Sequence, residues 1–253
     1  MNTENFKNNI VIEIKNLVKS FGSNHVLTGF NLQLKEGENL AVMGKSGSGK
    51  SVMIKCAIGL IDYDEGSIKI MGKEIAETNQ NELDKIRTEV GFLFQSSALY
   101  DSMTVRENLE FPLRRHTEKM EGLEDPTPLV IEALQSVGLE EAIDLYPEEL
   151  SGGMKRRIAL ARTLILKPKI ILYDEPTAGL DPITSKEISA LMKSIQGKYK
   201  TSSIIITHDI ECAKTVGNRI ILLVDGKNYA EGTFEELDNS DDSKVKAFFK
   251  SHI

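Results

Sequence analysis

Apolar residues along this chain fall into short runs broken by turns, and the texture of those runs changes twice. Val11 to Val18 reads as a strand, and Val26 to Leu34 as a second strand with alternating apolar positions. Ser20 to Asn24 lies between them as a turn, and Glu36-Gly37-Glu38 as another. Leu40 to Met43 is apolar without alternation, the pattern of a strand covered on both faces. Val52 to Leu60 predicts a helix. Asp64-Glu65-Gly66 opens a hairpin-like stretch with Ser67 to Met71 as its strand. Glu82 to Arg87 predicts a short helix, and Val90 to Phe94 a strand ending on Gln95. From Thr104 to about Lys167 the pattern is helical, with helices over Leu129 to Val137 and within Glu149 to Leu166. Arg114 to Pro128, charged and proline-containing, reads as an exposed connection or a frayed helix end. Strands then return at Ile170 to Tyr173 and Ser203 to Ile206, with helices over Ile183 to Ile195 and Asp209 to Val216. Arg219 to Val224 and Asn228 to Glu231 flank Asp225-Gly226, a hairpin signal. Ser243 to Ser251 predicts a last helix with Val245, Phe248 and Phe249 on one face. The sum is an α/β core interrupted by a helical insertion, without an internal repeat.

Composition narrows the partners. The chain has 253 residues and a formal net charge of −7, with no basic tail or lysine-arginine stripe, which disfavours nucleic acid. Met1 to Asn9 is polar and lacks the apolar core of a signal segment, and no apolar run approaches the length of a membrane span. A soluble chain that can still dock on a membrane protein is expected. Cys56 and Cys212 have no metal-like spacing, and a reduced setting fits them.

The chemistry centres on Gly44-Lys45-Ser46-Gly47-Ser48-Gly49-Lys50-Ser51, a complete G-x-x-x-x-G-K-[ST] phosphate loop between the predicted strand and helix. Its glycines let successive backbone N–H groups converge on a phosphate. Lys50 adds its charge to the positive end of a helix, and Ser51 is placed to ligate Mg²⁺. Ile170 to Tyr173 runs into Asp174 and Glu175. At the carboxyl end of a buried strand, Asp174 can hold Mg²⁺, and Glu175 can orient or deprotonate the attacking water. The alternative is a pair of solvated acids in a turn. Gln95 is placed to reach Mg²⁺ and the water, or simply to cap a helix. His208, after the strand at Ser203, can bond a γ-phosphate, while Thr207 or Asp209 can cap the next helix. Phe21 either stacks on a base or fills the core at a sheet edge.

Leu150-Ser151-Gly152-Gly153-Met154 precedes a basic helix carrying Lys155, Arg156, Arg157 and Arg162. With Ser151 as cap and glycines exposing N–H groups, this reads as a second anion site, against a glycine turn with a solvated basic face. Two such elements for one triphosphate suggest that each comes from a different subunit.

In order, these segments resemble the ATP-binding cassette ATPases over nearly the whole chain. The run is the phosphate loop, Gln95, Leu150 to Met154, Asp174-Glu175, Ala178-Gly179-Leu180-Asp181 and His208. The resemblance implies an α/β fold: a P-loop NTPase (RecA-like) core with an antiparallel β subdomain and an inserted helical subdomain. It implies one nucleotide-binding domain over 1–253, with the core in 1–95 and 168–253 and the helical part in 96–167. Carried over, Gly44, Ser46, Gly47, Ser48, Gly49, Lys50 and Ser51 hold ATP, and Phe21 stacks on its base. Ser151, Gly152 and Gly153 close on the ATP of a second copy, head to tail. Ser51, Gln95 and Asp174 are the Mg²⁺ residues, and Glu175, His208 and Gln95 the catalytic ones. Asp181 couples the two sites, although Asp181-Pro182 also reads as a helix cap with proline at the first turn.

A narrower resemblance, to the lipid-asymmetry (Mla-type) transport ATPases, rests on Phe94 to Val105, Asn108 to Arg114, Gly152 to Arg157 and Asp174 to Thr184. Met154 stands where most of the wider family has glutamine. Val52 departs from a frequent threonine, and Ser51 remains. This branch implies ATP-driven phospholipid transport between envelope membranes. Its partners are membrane permease subunits, docked through the region of Leu99 and Tyr100, and a lipid-binding substrate protein. The site of action implied is the cytoplasmic face of a bacterial inner membrane. Uptake of amino acids or other small solutes, or a non-transport cassette protein, are the alternatives. Glu175 argues against a nucleotide switch without turnover.

Overall fold

The computed structural model describes residues 7–116 and 125–250. Two sheets organise them. Strands β1 (Lys7–Phe21), β2 (Asn24–Glu36), β4 (Glu65–Ile70) and β5 (Lys73–Glu74) form an antiparallel sheet in the order β2-β1-β4-β5. The second sheet has the order β10-β9-β3-β8-β7-β6. Its β3 (Asn39–Met43), β6 (Val90–Leu93), β7 (Ile170–Asp174), β8 (Ser202–Thr207) and β9 (Arg219–Val224) are parallel, and β10 (Lys227–Gly232) runs antiparallel to β9.

The non-alternating runs have a direct cause. Every residue of β3, β7 and β8 is buried, because both faces of the parallel sheet are covered. Successive side chains still point to opposite faces. Leu40 and Val42 pack with Leu172, Ile204 and Ile206 under α1 (Lys50–Ala57) and the antiparallel sheet. Ile171, Tyr173 and Ile205 face the other way. There they meet a layer that includes α3 (Val105–Arg115), α4 (Thr127–Gln135), α5 (Gly152–Leu164) and α6 (Pro182–Tyr199). A third cluster joins Ala41, Met43, Ile220 and Leu222 to α8 (Phe234–Asp238) and α9 (Ser243–Lys250). Helix α2 (Gln80–Glu89) precedes β6, and α7 (Ile210–Val216) follows β8.

The sheets are tied by polar contacts as well. Arg219 of β9 grips the buried Glu38 at 2.7 and 2.9 Å, reaches Gln33 O at 2.5 Å and pairs with Glu231. Thr28 of β2 donates its N–H to Gly226 O (3.0 Å) and its hydroxyl to Asp225 O (2.8 Å).

Several boundaries differ from the sequence expectation. Ser20 and Phe21 belong to β1, and the turn shrinks to Gly22-Ser23. Glu65 and Gly66 already lie in β4, which pairs with β1. Helix α1 begins two residues early, because Gly49 (φ 99°) turns the chain directly into it, and it ends before Gly59 (φ 65°). Helix α2 starts at Gln80, fixed by the Asn79–Glu82 capping box. Strand β6 stops at Leu93, two residues before Gln95. Residues 117–124 of the charged connection and Ser251 of the last helix lie outside the described residues. Among the described residues no helix is long and apolar enough to cross a membrane.

One buried amide holds the entry to the helical layer. Asn108, fully buried on α3, places its Nδ2 3.0–3.1 Å from the carbonyls of Tyr100, Met103 and Thr104, and its Oδ1 accepts the Tyr100 N–H at 2.8 Å. Asn108→Ala would take the side-chain partner from the Tyr100 N–H and the Met103 carbonyl, while the Tyr100 and Thr104 carbonyls keep backbone donors. The expected loss is about 1–3 kcal/mol of unfolding free energy, read as a lower urea midpoint at unchanged slope. An unmoved midpoint would remove this role.

Candidate functional site

The carboxyl ends of β3, β7 and β8 open into a cleft of about 1370 Å³. The phosphate loop, Gly44 through Ser51, lines it, and so do Phe21, Gln95, Glu175 and His208. These sequence-predicted residues therefore meet in one place, as expected where ligands bind at the ends of parallel strands.

The loop is built for close approach. A Cβ on Gly44 would stand 2.7 Å from Leu223 O, and one on Gly49 would stand 2.7 Å from Val26 Cγ1. Gly47 has φ 78°. Ser48 Oγ is buried without a hydrogen-bond partner inside the loop. Lys50 is only 5% exposed. Its Nζ donates to Gly44 O (2.8 Å) and Lys45 O (3.2 Å) and lies 3.7 Å from Glu175 Oε1. Burial pushes this ammonium below the usual lysine range, and the Glu175 carboxylate pulls it part of the way back.

Ser51 Oγ donates to Asp174 Oδ1 at 2.8 Å, joining the first turn of α1 to the last residue of β7. No cluster of three histidine, cysteine or acidic side chains suits a metal among the described residues. Mg²⁺ needs none, since it takes one or two protein oxygens with phosphate and water, and Ser51 with Asp174 fits that donor set.

Glu175 sits in left-handed backbone (φ 49°), its N–H donating to Ile206 O at 2.9 Å. The carboxylate lies 2.8 Å from His208 Nδ1 and accepts the His208 N–H at 3.3 Å. Such strained backbone persists only where the surroundings fix it. The two acids are thus separated by environment, one on Ser51 and one facing the cleft beside Lys50 and His208. The picture of two solvated acids fails, because Asp174 and Glu175 are 5% and 8% exposed. Asp209 caps α7 through Cys212 N–H, leaving His208 to the cleft.

Phe21 is 49% exposed at the end of β1, so the core-filling reading is corrected: its ring faces the cleft and solvent. Ser151, Gly152 and Gly153 do not line this cleft. Ser151 is exposed and caps α5, its Oγ accepting Met154 N–H at 3.2 Å. The basic helix is also corrected. Arg156 and Arg162 turn inward onto backbone carbonyls and so form no solvated face, while Arg157 pairs with Glu187 at 2.5 Å. Asp181 caps α6, its carboxylate accepting the N–H groups of Ile183 and Thr184 at 3.0 Å. Leu99 is half-buried against the helical layer. Tyr100 is exposed, with its ring 4.7 Å from that of Phe111.

Sequence reasoning missed the far wall of the cleft. Asn24, His25, Asp225, Gly226 and Lys244 line it. Asp225-Gly226 signalled a hairpin, but nothing local tied that turn to Thr28 across the chain. Both cysteines are buried, with thiols pushed up by burial to about 11 for Cys56 and about 12 for Cys212, which makes them inert at neutral pH.

The ABC transporter family pattern matches residues 27–178. The chain is 40% identical, over 90% of its length and 70% of the relative's, to the methionine import ATP-binding protein MetN of Clostridium tetani. It is 39% identical, over 96% of its length and 91% of the relative's, to the intermembrane phospholipid transport system ATP-binding protein MlaF of Haemophilus influenzae. Among solved structures it resembles a dimeric ATP-binding cassette in a post-hydrolysis state bound to ADP and Pi. That likeness has a TM-score of 0.79 and 35% identity, covering 88% of this chain and 98% of the other. The family match spans the phosphate loop, Gln95, the Ser151 cap and both β7 acids together, so the chain belongs to the ABC transporter family and is its ATP-hydrolysing subunit.

Proposed function

We propose that this subunit drives phospholipid transport between envelope membranes through a membrane permease. The carrying observation is Tyr100. It follows Gln95 by five residues, stays 43% exposed beside Phe111, and lies in the Phe94 to Val105 stretch that resembles the Mla-type ATPases. The phospholipid-transport relative from Haemophilus influenzae supports the same reading. An exposed tyrosine stacked on a half-buried phenylalanine of the helical layer suits a short amphipathic helix of a permease. Leu99, next to it in the chain, is half-buried against the helical layer.

In this reading Lys50 and the loop N–H groups hold the triphosphate, with Phe21 on the base. Ser51, Asp174 and Gln95 would hold Mg²⁺, which supplies charge neutralisation on the phosphates. Glu175 takes the proton of the attacking water, and His208 orients Glu175 and bonds the γ-phosphate. Two copies pair head to tail, each offering Ser151, Gly152 and Gly153 to the other's ATP, with Asp181 across the junction. The dimeric cassette bound to ADP and Pi supports that pairing. Residues 96–167 act as one helical unit between nucleotide and permease, at the cytoplasmic face of a bacterial inner membrane, with a lipid-binding protein as a further partner. The methionine-import relative favours a second reading, solute uptake.

Tyr100→Glu separates docking from folding. The isolated variant is expected to melt and bind ATP as wild type does. Capture of its permease should fall at least ~10-fold, because an unpaired carboxylate against an apolar helix costs on the order of 2 kcal/mol or more. Lost thermal stability of the lone variant would make Tyr100 a core residue. A wild-type chain that co-purifies only with a solute permease, stimulated by methionine and not by phospholipid vesicles, would overturn the lipid assignment alone.

A further inference from the structure

Arg156 is 4% exposed, and among the described residues no carboxylate pairs with it. Its Nη1 donates to Phe94 O at 2.9 Å and its Nη2 to Ala178 O at 3.3 Å, while Nε has no partner. Burial lowers its pKa, yet a guanidinium keeps its charge. A desolvated cation without a counter-ion is a costly way to bind two carbonyls, so packing does not account for it.

The two carbonyls lie on segments that flank the chemistry. Phe94 adjoins Gln95. Ala178 lies between Glu175 and Asp181. Arg156 itself stands in the first turns of α5, behind the Ser151 cap. The rest of that helix is pinned in the same manner: Arg162 donates to Ser97 O at 3.1 Å, and Arg157 holds Glu187 on α6. Ser97 (φ 62°) and Ala98 (φ 47°) both occupy left-handed backbone, a strained pair that needs such restraint. The planar fork is what lets one side chain reach two separate segments.

We propose that Arg156 is a positioning residue that fixes the Gln95 loop, the 175–181 loop and the start of α5 as one rigid body, and that ATP-driven pairing of two chains requires it. The inference rests on the head-to-tail pairing described above. Gln95 faces the chain's own nucleotide, whereas Ser151 and Asp181 face the partner's site. Without Arg156, ATP still binds the phosphate loop, but the faces offered to the partner are no longer set together.

The test uses the full chain in a Glu175→Gln background, which holds ATP, with Mg-ATP as the probe. Arg156→Lys and Arg156→Gln are compared with Arg156 for ATP affinity at dilutions where chains are single, and for ATP-driven dimerisation by sedimentation. Affinity of single chains should stay within ~2-fold, while the dimer dissociation constant rises ~10-fold or more, the scale of one lost charge-assisted hydrogen bond. Lysine keeps the charge and N–H donors but loses the fork that spans two carbonyls, so it should be hurt less than glutamine. If glutamine fails to fold, the lysine variant decides alone. Undiminished pairing in a folded variant overturns the proposal, as does an equal loss of ATP affinity in single chains. A Glu175→Gln control that does not pair with ATP overturns the head-to-tail reading itself, and this inference falls with it.

Discussion

Glu175→Gln is expected to retain ATP and to release phosphate at least ~100-fold more slowly, the lower range for loss of a general base. The amide matches the carboxylate in shape and keeps a partner for His208, 2.8 Å away. It cannot accept a proton from water. The left-handed backbone at Glu175 and its N–H bond to Ile206 O do not depend on the side chain, so the loop geometry should survive. Bound nucleotide after rapid filtration and phosphate release under single-turnover conditions measure the two halves of the claim. Wild-type turnover would end the proposed role of Glu175.

Lys50→Ala acts one step earlier, on triphosphate binding. The ammonium is buried and already poised, bonded to Gly44 O and Lys45 O and facing Glu175. Without it, the loop offers only N–H groups, and the charge of Glu175 is left uncompensated. ATP affinity should fall ~10- to 100-fold, corresponding to about 1.5–3 kcal/mol for hydrogen bonds to a charged group. Calorimetric titration reads the loss, with a thermal melt to establish that the variant is folded. An unchanged affinity would mean that Lys50 serves only its two loop carbonyls.

What could be read from the sequence follows from which contacts are local. The strands of the parallel sheet were legible because full burial on both faces writes itself as uninterrupted Ile170-Ile171-Leu172-Tyr173 or Ile204-Ile205-Ile206. The phosphate loop and the β7 acids were legible because their chemistry requires fixed spacing. Lys73-Glu74 pairs as β5, yet two residues carry no periodicity. The capping box at Asn79 is present as letters, yet the sequence expectation starts the helix only at Glu82. The inward turn of Arg156 and Arg162 is not legible for a deeper reason. A basic stretch reads as free for an anion or for solvent, and here these two are answered by backbone carbonyls of Phe94, Ser97 and Ala178, which no side-chain pattern encodes. Asn108 was invisible as a hub for the same reason.

The cleft is lined from both sheets. Phe21 and Asn24 come from the antiparallel one, while the phosphate loop grows from the parallel one, and near the cleft Thr28 bonds the Asp225-Gly226 turn. A nucleotide lying between them therefore joins the halves as well as occupying a site. Occupancy and folding stability become linked variables: at 100 times its dissociation constant, ATP would add ~2.7 kcal/mol against unfolding. The protection would be uneven, concentrated in amides of the 21–28 and 225–228 segments, where local opening would separate the sheets, and slight in the wholly buried β7 and β8, which are expected to open only with the whole molecule.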